Sequence, residues 1–307
     1  MPTPQIKILD ALSVPGNPAK PNDDRFGYNE ACAFVIDGAT GLGDRQYMDA
    51  SGSDAAWVAA RFADGFRQQI TRETPVSDVA RAVSQEARAT FLGGNPDAPR
   101  YAWPLSAFSM IHATDDRLTF YGLGDSCVFL LQEDGSVSFH MAIPDAYVRE
   151  QAHAQSHIAR TGGITKDGGA LGNAETLAAL RRHRESQNTA GGIWTLGLVP
   201  ESADHLVSEE LKIKGRAHAI ICSDGFADLV VLYEAYDAAS LVRAALDKGL
   251  APMIEELRRF ERETDRKVCA IPASSRAMTR PRSWSNSQPD IRATKQQFPI
   301  QDQALGR

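Results

Sequence analysis

The sequence predicts an α+β fold in which a system of antiparallel strands is covered by helices. Strand and helix patterns occur in blocks: long helical patterns at 51–70 and 76–92 precede four short strand patterns between residues 104 and 141. Such blocks are typical of antiparallel sheets with helical layers, whereas a parallel doubly wound sheet requires strict alternation. The chain of 307 residues, 43% of them hydrophobic, can also bury one large core. We therefore expect one main α+β domain.

Each element is predicted from its own periodicity. Residues 31–37 form an apolar run typical of a buried strand, and the two long helical patterns place apolar residues at three- and four-residue spacing. The strand patterns that follow have a period of two and are joined by short turns, so we expect them to form a meander of hairpins. The further predicted elements are strands at 104–113, 118–123, 126–132, 136–141, 193–197 and 217–222, and helices at 226–234, 238–247 and 252–263.

Two segments differ from this pattern. Residues 144–190 are polar, helical in pattern and interrupted by glycines, and we interpret them as a flap at the rim of the domain. Residues 266–307 are rich in Arg, Ser, Pro and Gln and have no period, which is typical of a disordered tail. The predicted organisation is therefore a domain at 1–265 and a tail at 266–307.

Composition excludes several classes of protein. A net charge of −6 argues against a nucleic-acid partner. The chain has no uninterrupted apolar run of about 18 residues and no signal-peptide pattern at its start, so we expect a cytoplasmic protein with no membrane partner. We also expect a monomer. The four cysteines lack CxxC spacing and are expected to be reduced core residues: Cys32, Cys127, Cys222 and Cys269.

An aspartate beside a glycine ends three of the apolar runs. The pairs are Asp37-Gly38, Gly124-Asp125 and Asp224-Gly225. One such pair is an ordinary turn signal. However, aspartates that converge at strand ends cost several kcal/mol, roughly, to desolvate unless a cation compensates them. Oxygen ligands without histidine favour Mg²⁺ or Mn²⁺ over Zn²⁺, so the three pairs together predict a hard-metal site.

Four short motifs follow one another along the chain. They are Asn22-Asp23-Asp24-Arg25-Phe26-Gly27, then Ala33 to Asp37-Gly38-Ala39-Thr40-Gly41, then Gly122-Leu123-Gly124-Asp125-Ser126, and Ser223-Asp224-Gly225-Phe226-Ala227-Asp228. In this order they resemble the motifs of the metal-dependent (PPM-type, type 2C) serine/threonine phosphatases, over about residues 5 to 265. A single motif is weak evidence, whereas four in the family's order are specific. The resemblance implies a central pair of antiparallel sheets sandwiched between helical layers, and a phosphoprotein or phosphopeptide substrate.

The resemblance also implies roles for individual residues. Asp37 matches the carboxylate that bridges two Mg²⁺ or Mn²⁺ ions, with the carbonyl of Gly38 as a further ligand, and Asp224 matches a ligand of the first ion. These two aspartates are the predicted catalytic residues. Asp125, with Asp224, matches the holder of a third, weaker ion. The implied chemistry is attack of a metal-activated water on phosphorus in line with the leaving oxygen.

Asp23 and Asp24 match the family's acidic pair, which binds the second ion directly or through water. From the residues alone, ligands and solvated loop charges are equally good interpretations of this pair.

Two positions near the implied site depart from the family. Many members carry a histidine where this chain has Ala39, which leaves Thr40 or water at the metals to protonate the leaving oxygen. The family's phosphate-binding arginine is replaced by Lys20, one position off, which can hold phosphate as a point charge but not bidentately. The basic run at 181–184 could guide an acidic phosphopeptide, although a solvated helix face is the more ordinary interpretation.

The carboxyl end of the chain differs most from the family's pattern. The family closes with a strand that begins with Asp-Asp or Asp-Asn and completes the first metal site, and no such strand follows Asp265. If each codon starts at the third base of the printed one, Met278-Thr279 must encode aspartate, since ATG followed by AC contains GAC. With permitted third bases, residues 277–289 then read Asp-Asp-Ala-Thr-Ala-Leu-Leu-Val-Glu-Phe-Ala-Ala, and Pro289-Asp290 can read as a stop codon.

We therefore hypothesise a frame change shortly after Asp265. If no single-base change in the coding DNA restores this strand, the hypothesis is wrong. The chain as printed should lack the final strand, leave a neighbouring strand edge unpaired and hold its first metal ion weakly. Two functions stay open on the sequence: a Mg²⁺- or Mn²⁺-dependent phosphatase, or a catalytically impaired pseudophosphatase that acts as a binding scaffold.

Overall fold

The computed structural model describes residues 3–48, 52–144 and 174–270, with the side chains of 264–270 excepted, and confirms the α+β class. The strands are β1 (Arg25–Tyr28), β2 (Cys32–Gly38), β3 (Leu105–Ala113), β4 (Leu118–Leu123), β5 (Cys127–Gln132), β6 (Val137–Met141), β7 (Leu196–Gly197), β8 (Val207–Leu211) and β9 (Ala217–Cys222). The helices are α1 (Asp54–Gln69), α2 (Val76–Gly94), α3 (Ala174–Ser186), α4 (Asp224–Val231), α5 (Ala238–Lys248) and α6 (Leu250–Ala270).

The strands form two antiparallel sheets. Sheet A has the order β1-β2-β3-β4-β8, with β7 paired to β3, and sheet B has the order β6-β5-β9. Strand β9 packs over β2 and β3, and β5 packs over β3, so the sheets face each other. Helix α1 covers sheet A with α2 beside it, whereas α4, α5 and α6 cover sheet B. The layers therefore follow the order helix, sheet, sheet, helix.

Three apolar clusters fill the spaces between these layers. The cluster between sheet A and the helices α1 and α2 is rich in aromatic rings, among them Phe34, Phe66 and Phe108. The cluster between the sheets contains Ile111 and Val128, and the third lies between sheet B and its helices. Because every layer has an apolar face on at least one side, burial of these faces stabilises the stacking.

The predicted meander is wrong in one respect. Strands β3 and β4 form a hairpin in sheet A, and β5 and β6 form a hairpin in sheet B, so the chain changes sheet between β4 and β5. Gly124 makes this corner with a φ of 76°, and a Cβ there would lie 2.7 Å from the Cβ of Ala107. Periodicity could not reveal the change of sheet, because β3 and nearly all of β5 are buried on both faces.

Several boundaries differ from the predicted ones. Strands β1 and β8 were not predicted, since β1 has four residues and β8 is exposed and polar at four of its five positions. Helix α6 continues to Ala270, past the predicted start of the tail at residue 266. Most of the predicted flap (145–173) and the rest of the tail (271–307) lie outside the described residues. None of the helices in the described ranges has both the length and the apolarity needed to cross a bilayer.

The cysteines behave as predicted where they are described. Cys32, Cys127 and Cys222 are free thiols in the core. Cys127 and Cys222 lie opposite each other on β5 and β9, with their sulfur atoms 3.5 Å apart. This contact and burial raise the pKa of the Cys127 thiol well above its usual range, so the thiol is inert at neutral pH.

The crossing of α1 and α2 depends on a glycine. A Cβ at Gly65 would lie 2.3 Å from Cγ2 of the buried Val83, whereas a Cβ at the exposed Gly93 would meet nothing within 4 Å. We expect Gly65→Ala to destabilise the protein by ~1–2 kcal/mol, because overpacking outweighs the gain in helix propensity. Gly93→Ala, the matched control, should stabilise it by ~0.5 kcal/mol. Urea unfolding of both variants measures this, and equal effects would contradict the account.

Candidate metal centre

Three strand-end aspartates meet at one end of the sandwich. Asp37 ends the apolar part of β2, Asp125 lies in the corner between β4 and β5, and Asp224 begins α4 directly after β9. Each offers one carboxylate oxygen, and these oxygens lie within 4.8 Å of one another. The convergence predicted from the sequence is therefore present in the fold, because β9 packs over β2 and so brings the two strand ends together.

The carboxylates of this cluster repel one another. Burial raises the pKa of Asp37 well above its usual range, and the charges of Asp224, Asp24 and Asp125 raise it further. Burial also raises the pKa of Asp24, which hydrogen-bonds to Asp37 and accepts a hydrogen bond of 3.3 Å from the backbone N–H of Gly38. A divalent cation would offset this repulsion, and an all-oxygen donor set fits Mg²⁺ or Mn²⁺.

The acidic pair divides between two places. Asp24 joins the cluster, whereas the side chain of Asp23 accepts a hydrogen bond from the hydroxyl of Ser53, the N-cap of α1. The main chain of Asp23 packs directly against Gly38. A Cβ at position 38 would lie only 2.5 Å from the Asp23 carbonyl oxygen. Gly38 is thus required for the close approach of the two loops. Of the pair, Asp24 is the better candidate for direct ligation.

The loop after Gly38 is tied down by a residue that the sequence analysis did not single out. Asp54 is only 4% exposed, and its carboxylate accepts hydrogen bonds of 2.8 and 2.7 Å from the backbone N–H groups of Tyr47 and Met48. Its own backbone N–H donates to the side-chain oxygen of Gln46 at 2.7 Å. The Ser53-Asp54 pair before a helical run was the available signal, since it is a common helix start.

Two arginines of α3 also hold this loop. Arg181 donates hydrogen bonds to the carbonyl of Leu42 at 2.9 Å and to the carboxylate of Asp44 at 2.5 Å. Arg184 donates to the carbonyl of Thr40 at 3.2 Å, and burial lowers its pKa to about 10. The interpretation of 181–184 as a solvated face is therefore wrong for these two residues, although the intervening positions 182 and 183 are exposed.

The remaining predicted site residues lie at the edge of the site. Lys20 is exposed in a turn, where its backbone N–H donates to the carbonyl of Asn17 at 3.0 Å. Its phosphate contact stays a prediction. Ala39 is held by a 3.1 Å hydrogen bond from its backbone N–H to the carbonyl of Leu105, and its side chain has no proton to give.

Comparison with known proteins gives matches at the level of structure. The chain matches no protein-family model and no curated protein. It is similar in structure to bacterial serine/threonine phosphatases. The catalytic domain of the phosphatase PstP, in complex with two manganese ions, is 17% identical with a TM-score of 0.48, and the match covers 84% of this chain and 93% of that one.

Two further solved structures are less similar. Stp1 of Staphylococcus aureus is 13% identical with a TM-score of 0.38, over 76% of this chain and 80% of that one. PppA, a regulatory component of the T6SS in Pseudomonas aeruginosa, is 15% identical with a TM-score of 0.45, over 75% and 83%.

Proposed function

We propose that the protein is a Mg²⁺- or Mn²⁺-dependent phosphatase that hydrolyses phosphoserine or phosphothreonine in proteins. The observation that supports this best is the convergence of Asp37, Asp125 and Asp224, whose oxygens lie within 4.8 Å of one another. Structural aspartates are normally paired with a base or spread apart, because clustered like charges destabilise a fold. Their order in the chain, with the acidic pair before them, also matches the motifs of the PPM-type phosphatases.

The residues of the chain have separate roles in this proposal. Asp37, Asp224 and Asp24 would hold two ions together with the carbonyl of Gly38, and Asp125 would hold a third with Asp224. When bound, the ions would supply an activated water as nucleophile and positive charge against the phosphoryl oxygens. The arginines of α3 and the carboxylate of Asp54 fix the loop beside the site, which keeps Gly38 in place.

The alternative is a pseudophosphatase that binds a partner without turnover. One observation favours it: the described residues supply the cluster without the Asp-Asp strand that the family resemblance implies. Because the first metal site lacks one carboxylate ligand, it should bind its ion weakly, and the printed chain should hydrolyse substrate slowly. Metal titration separates the two functions, since two coupled divalent sites favour the enzyme, and one weak site or none favours the scaffold.

Hydrolysis of p-nitrophenyl phosphate and of a phosphothreonine peptide tests the proposal. We expect slow turnover with Mn²⁺ that is lost on adding EDTA and restored by excess Mn²⁺. In Asp224→Asn it should fall at least ~100-fold, since even groups that only support a metal ligand are worth roughly 10–100-fold.

The matched control is Asp116→Asn, which removes an exposed carboxylate remote from the cluster and should behave as the parent protein. Turnover that survives EDTA, or that Asp224→Asn retains, would contradict metal-dependent hydrolysis at this site.

A further inference from the structure

A cavity of about 340 Å³ extends from the carboxylate cluster along the end strand of sheet B. Strands β1 and β9 line it, α6 covers it, and the amino-terminal segment at 8–14 closes its remaining side. This segment forms neither helix nor strand. The cavity therefore lies beside the end strands of both sheets, in the space where one more strand of sheet B would lie.

Strand β9 has the sequence of a central strand but the position of an edge strand. It pairs with β5 on one side, and no other strand in the described part of the chain pairs with it. Yet it is apolar and largely buried, whereas the edge strand β8 carries Glu209 and Glu210 and is exposed. Natural edge strands are protected by charge, as β8 is, because an open apolar edge pairs readily with another extended chain. The composition of β9 thus indicates a partner on its second side.

The lining of the cavity suits an apolar strand. Phe26 on β1 lies opposite Val35 on β2, and both line the cavity with Ile221 of β9 and Ile254 of α6. All four side chains are only half-buried, and Tyr28 is 48% exposed. A strand that is apolar on both faces would cover β1 with one face and α6 with the other.

The path of α6 sets the direction in which a following segment would enter. The helix begins beside Asp10, whose carboxylate accepts the N–H of Leu250 at 2.9 Å. It then passes Val14, whose carbonyl accepts from Arg258 at 3.4 Å. Glu261, near the far end, lines the cavity. Burial raises the pKa of Asp228 in α4, the helix that Asp224 begins, and the charge of Glu261 raises it further. The helix therefore advances toward the carboxylate cluster.

The chain length after α6 is sufficient for a return into the cavity. Fifteen positions, 262–276, separate Glu261 from residue 277, and their number is the same in either frame. Even where the helix continues at about 1.5 Å per residue, a few extended residues at about 3.3 Å each suffice for the chain to turn back toward the cluster. A strand starting at residue 277 can therefore begin beside the cluster and continue antiparallel to β9.

We propose that this cavity is the seat of a β-strand that pairs with β9, and that its occupant is the strand encoded in the other frame of residues 277–289. Its sequence, Asp-Asp-Ala-Thr-Ala-Leu-Leu-Val-Glu-Phe-Ala-Ala, is apolar along most of its length, as a strand buried on both faces must be. Its two aspartates enter beside Asp37 and Asp224. Only the effect of the strand on metal affinity rests on the proposed function, because the pairing with β9 is independent of it.

Complementation in trans tests the proposal. A fluorescein-labelled synthetic peptide of this sequence is titrated with the purified chain of 307 residues, and binding is followed by anisotropy. We expect saturable one-to-one binding and slower amide hydrogen exchange in β9. The same peptide with proline at its fifth and eighth positions should not bind. Successive N–H groups point to opposite sides of a strand, so one of these two prolines must remove a donor to β9.

Two variants of α6 locate the binding site. Ile254→Arg places a charge in the cavity and should weaken peptide binding at least ~10-fold. Glu255→Arg, the matched control, adds the same side chain at an exposed neighbouring position and should leave peptide binding unchanged. A chain in which the frame is restored should not bind the peptide, because its own strand fills the cavity.

The chain with the restored frame also tests the proposal if the printed chain is insoluble. Amide hydrogen exchange in its β9 should be slower than in the same chain with Ile254→Arg.

The outcomes are separable. Equal binding of the proline peptide, unchanged exchange in β9 on binding, or an unprotected β9 in the restored chain would each overturn the strand seat. Peptide binding that protects β9 supports it. If the bound peptide also tightens Mn²⁺ at least ~10-fold and its Asn-Asn version does not, the metal site is supported too. Protection of β9 without any change in Mn²⁺ affinity would support the seat and count against the proposed phosphatase site.

Discussion

Replacing Asp37 with asparagine is expected to make the metal-free protein more stable and to abolish its stabilisation by Mn²⁺. Asp37 is surrounded by Asp24, Asp125 and Asp224, and burial together with their charges raises its pKa. Removing one charge from this cluster should stabilise the metal-free fold by ~1–3 kcal/mol at neutral pH. The same change removes the central ligand, so the variant should lose the stabilisation that a bound ion gives, about 2.7 kcal/mol at one hundred times Kd.

The pH dependence of this effect has a definite sign. A carboxyl whose folded pKa is raised keeps its proton in the native state after the unfolded chain has lost it, so stability falls as pH rises above the unfolded value near 3.8. Asparagine lacks this titration. In EDTA, the stability gain of Asp37→Asn should therefore grow as the pH is raised from 4 toward neutrality.

Thermal unfolding in EDTA and in millimolar Mn²⁺, across this pH range, measures both effects. Asp116→Asn serves as the control. Its carboxylate is exposed and accepts a hydrogen bond from Thr114 that lowers its pKa, so its loss should leave the stabilisation by Mn²⁺ unchanged and should give no gain in stability as the pH rises. A variant at Asp37 that is less stable than the parent in EDTA, yet still gains stability from Mn²⁺, would show that this cluster is not a metal site.

Replacing Phe66 with alanine is expected to cost ~3–5 kcal/mol of stability, because it removes a large aromatic side chain from the core. Phe66 is fully buried between α1 and sheet A. Its ring centroid lies 5.4 Å from that of Phe34 and 5.1 Å from that of Phe108, on β2 and β3. Truncation would leave a cavity that these rings cannot close, since each is held by its own strand.

Urea unfolding measures this cost as a lower midpoint with an unchanged slope. The control is Leu232→Ala, which truncates a side chain that is 48% exposed and should change stability by less than ~0.5 kcal/mol. A cost below ~1 kcal/mol for Phe66→Ala would contradict tight packing of Phe66 between α1 and sheet A.

The sequence predicts the components of the fold better than their arrangement. The apolar runs that end near Asp37, Asp125 and Asp224 can be recognised in the sequence. The strands that precede these residues were predicted within a residue or two. The change of sheet at Gly124 was not predicted, because a buried strand reads the same in either sheet. The contacts of Arg181 and Arg184 with the loop after Gly38 were also missed, since they depend on tertiary packing between distant segments.

The origin of the three clustered aspartates has a mechanical consequence. Asp37 extends from sheet A, Asp224 follows sheet B, and Asp125 lies where the chain passes from one sheet to the other. A cation held by all three would link the two sheets to each other. It would also close a loop that contains the chain between Asp37 and Asp224, more than half of the protein. Without the ion, only the chain connections and the apolar cluster between the sheets would hold the two layers together. Bound metal should therefore slow local opening in both sheets, including at positions far from the site.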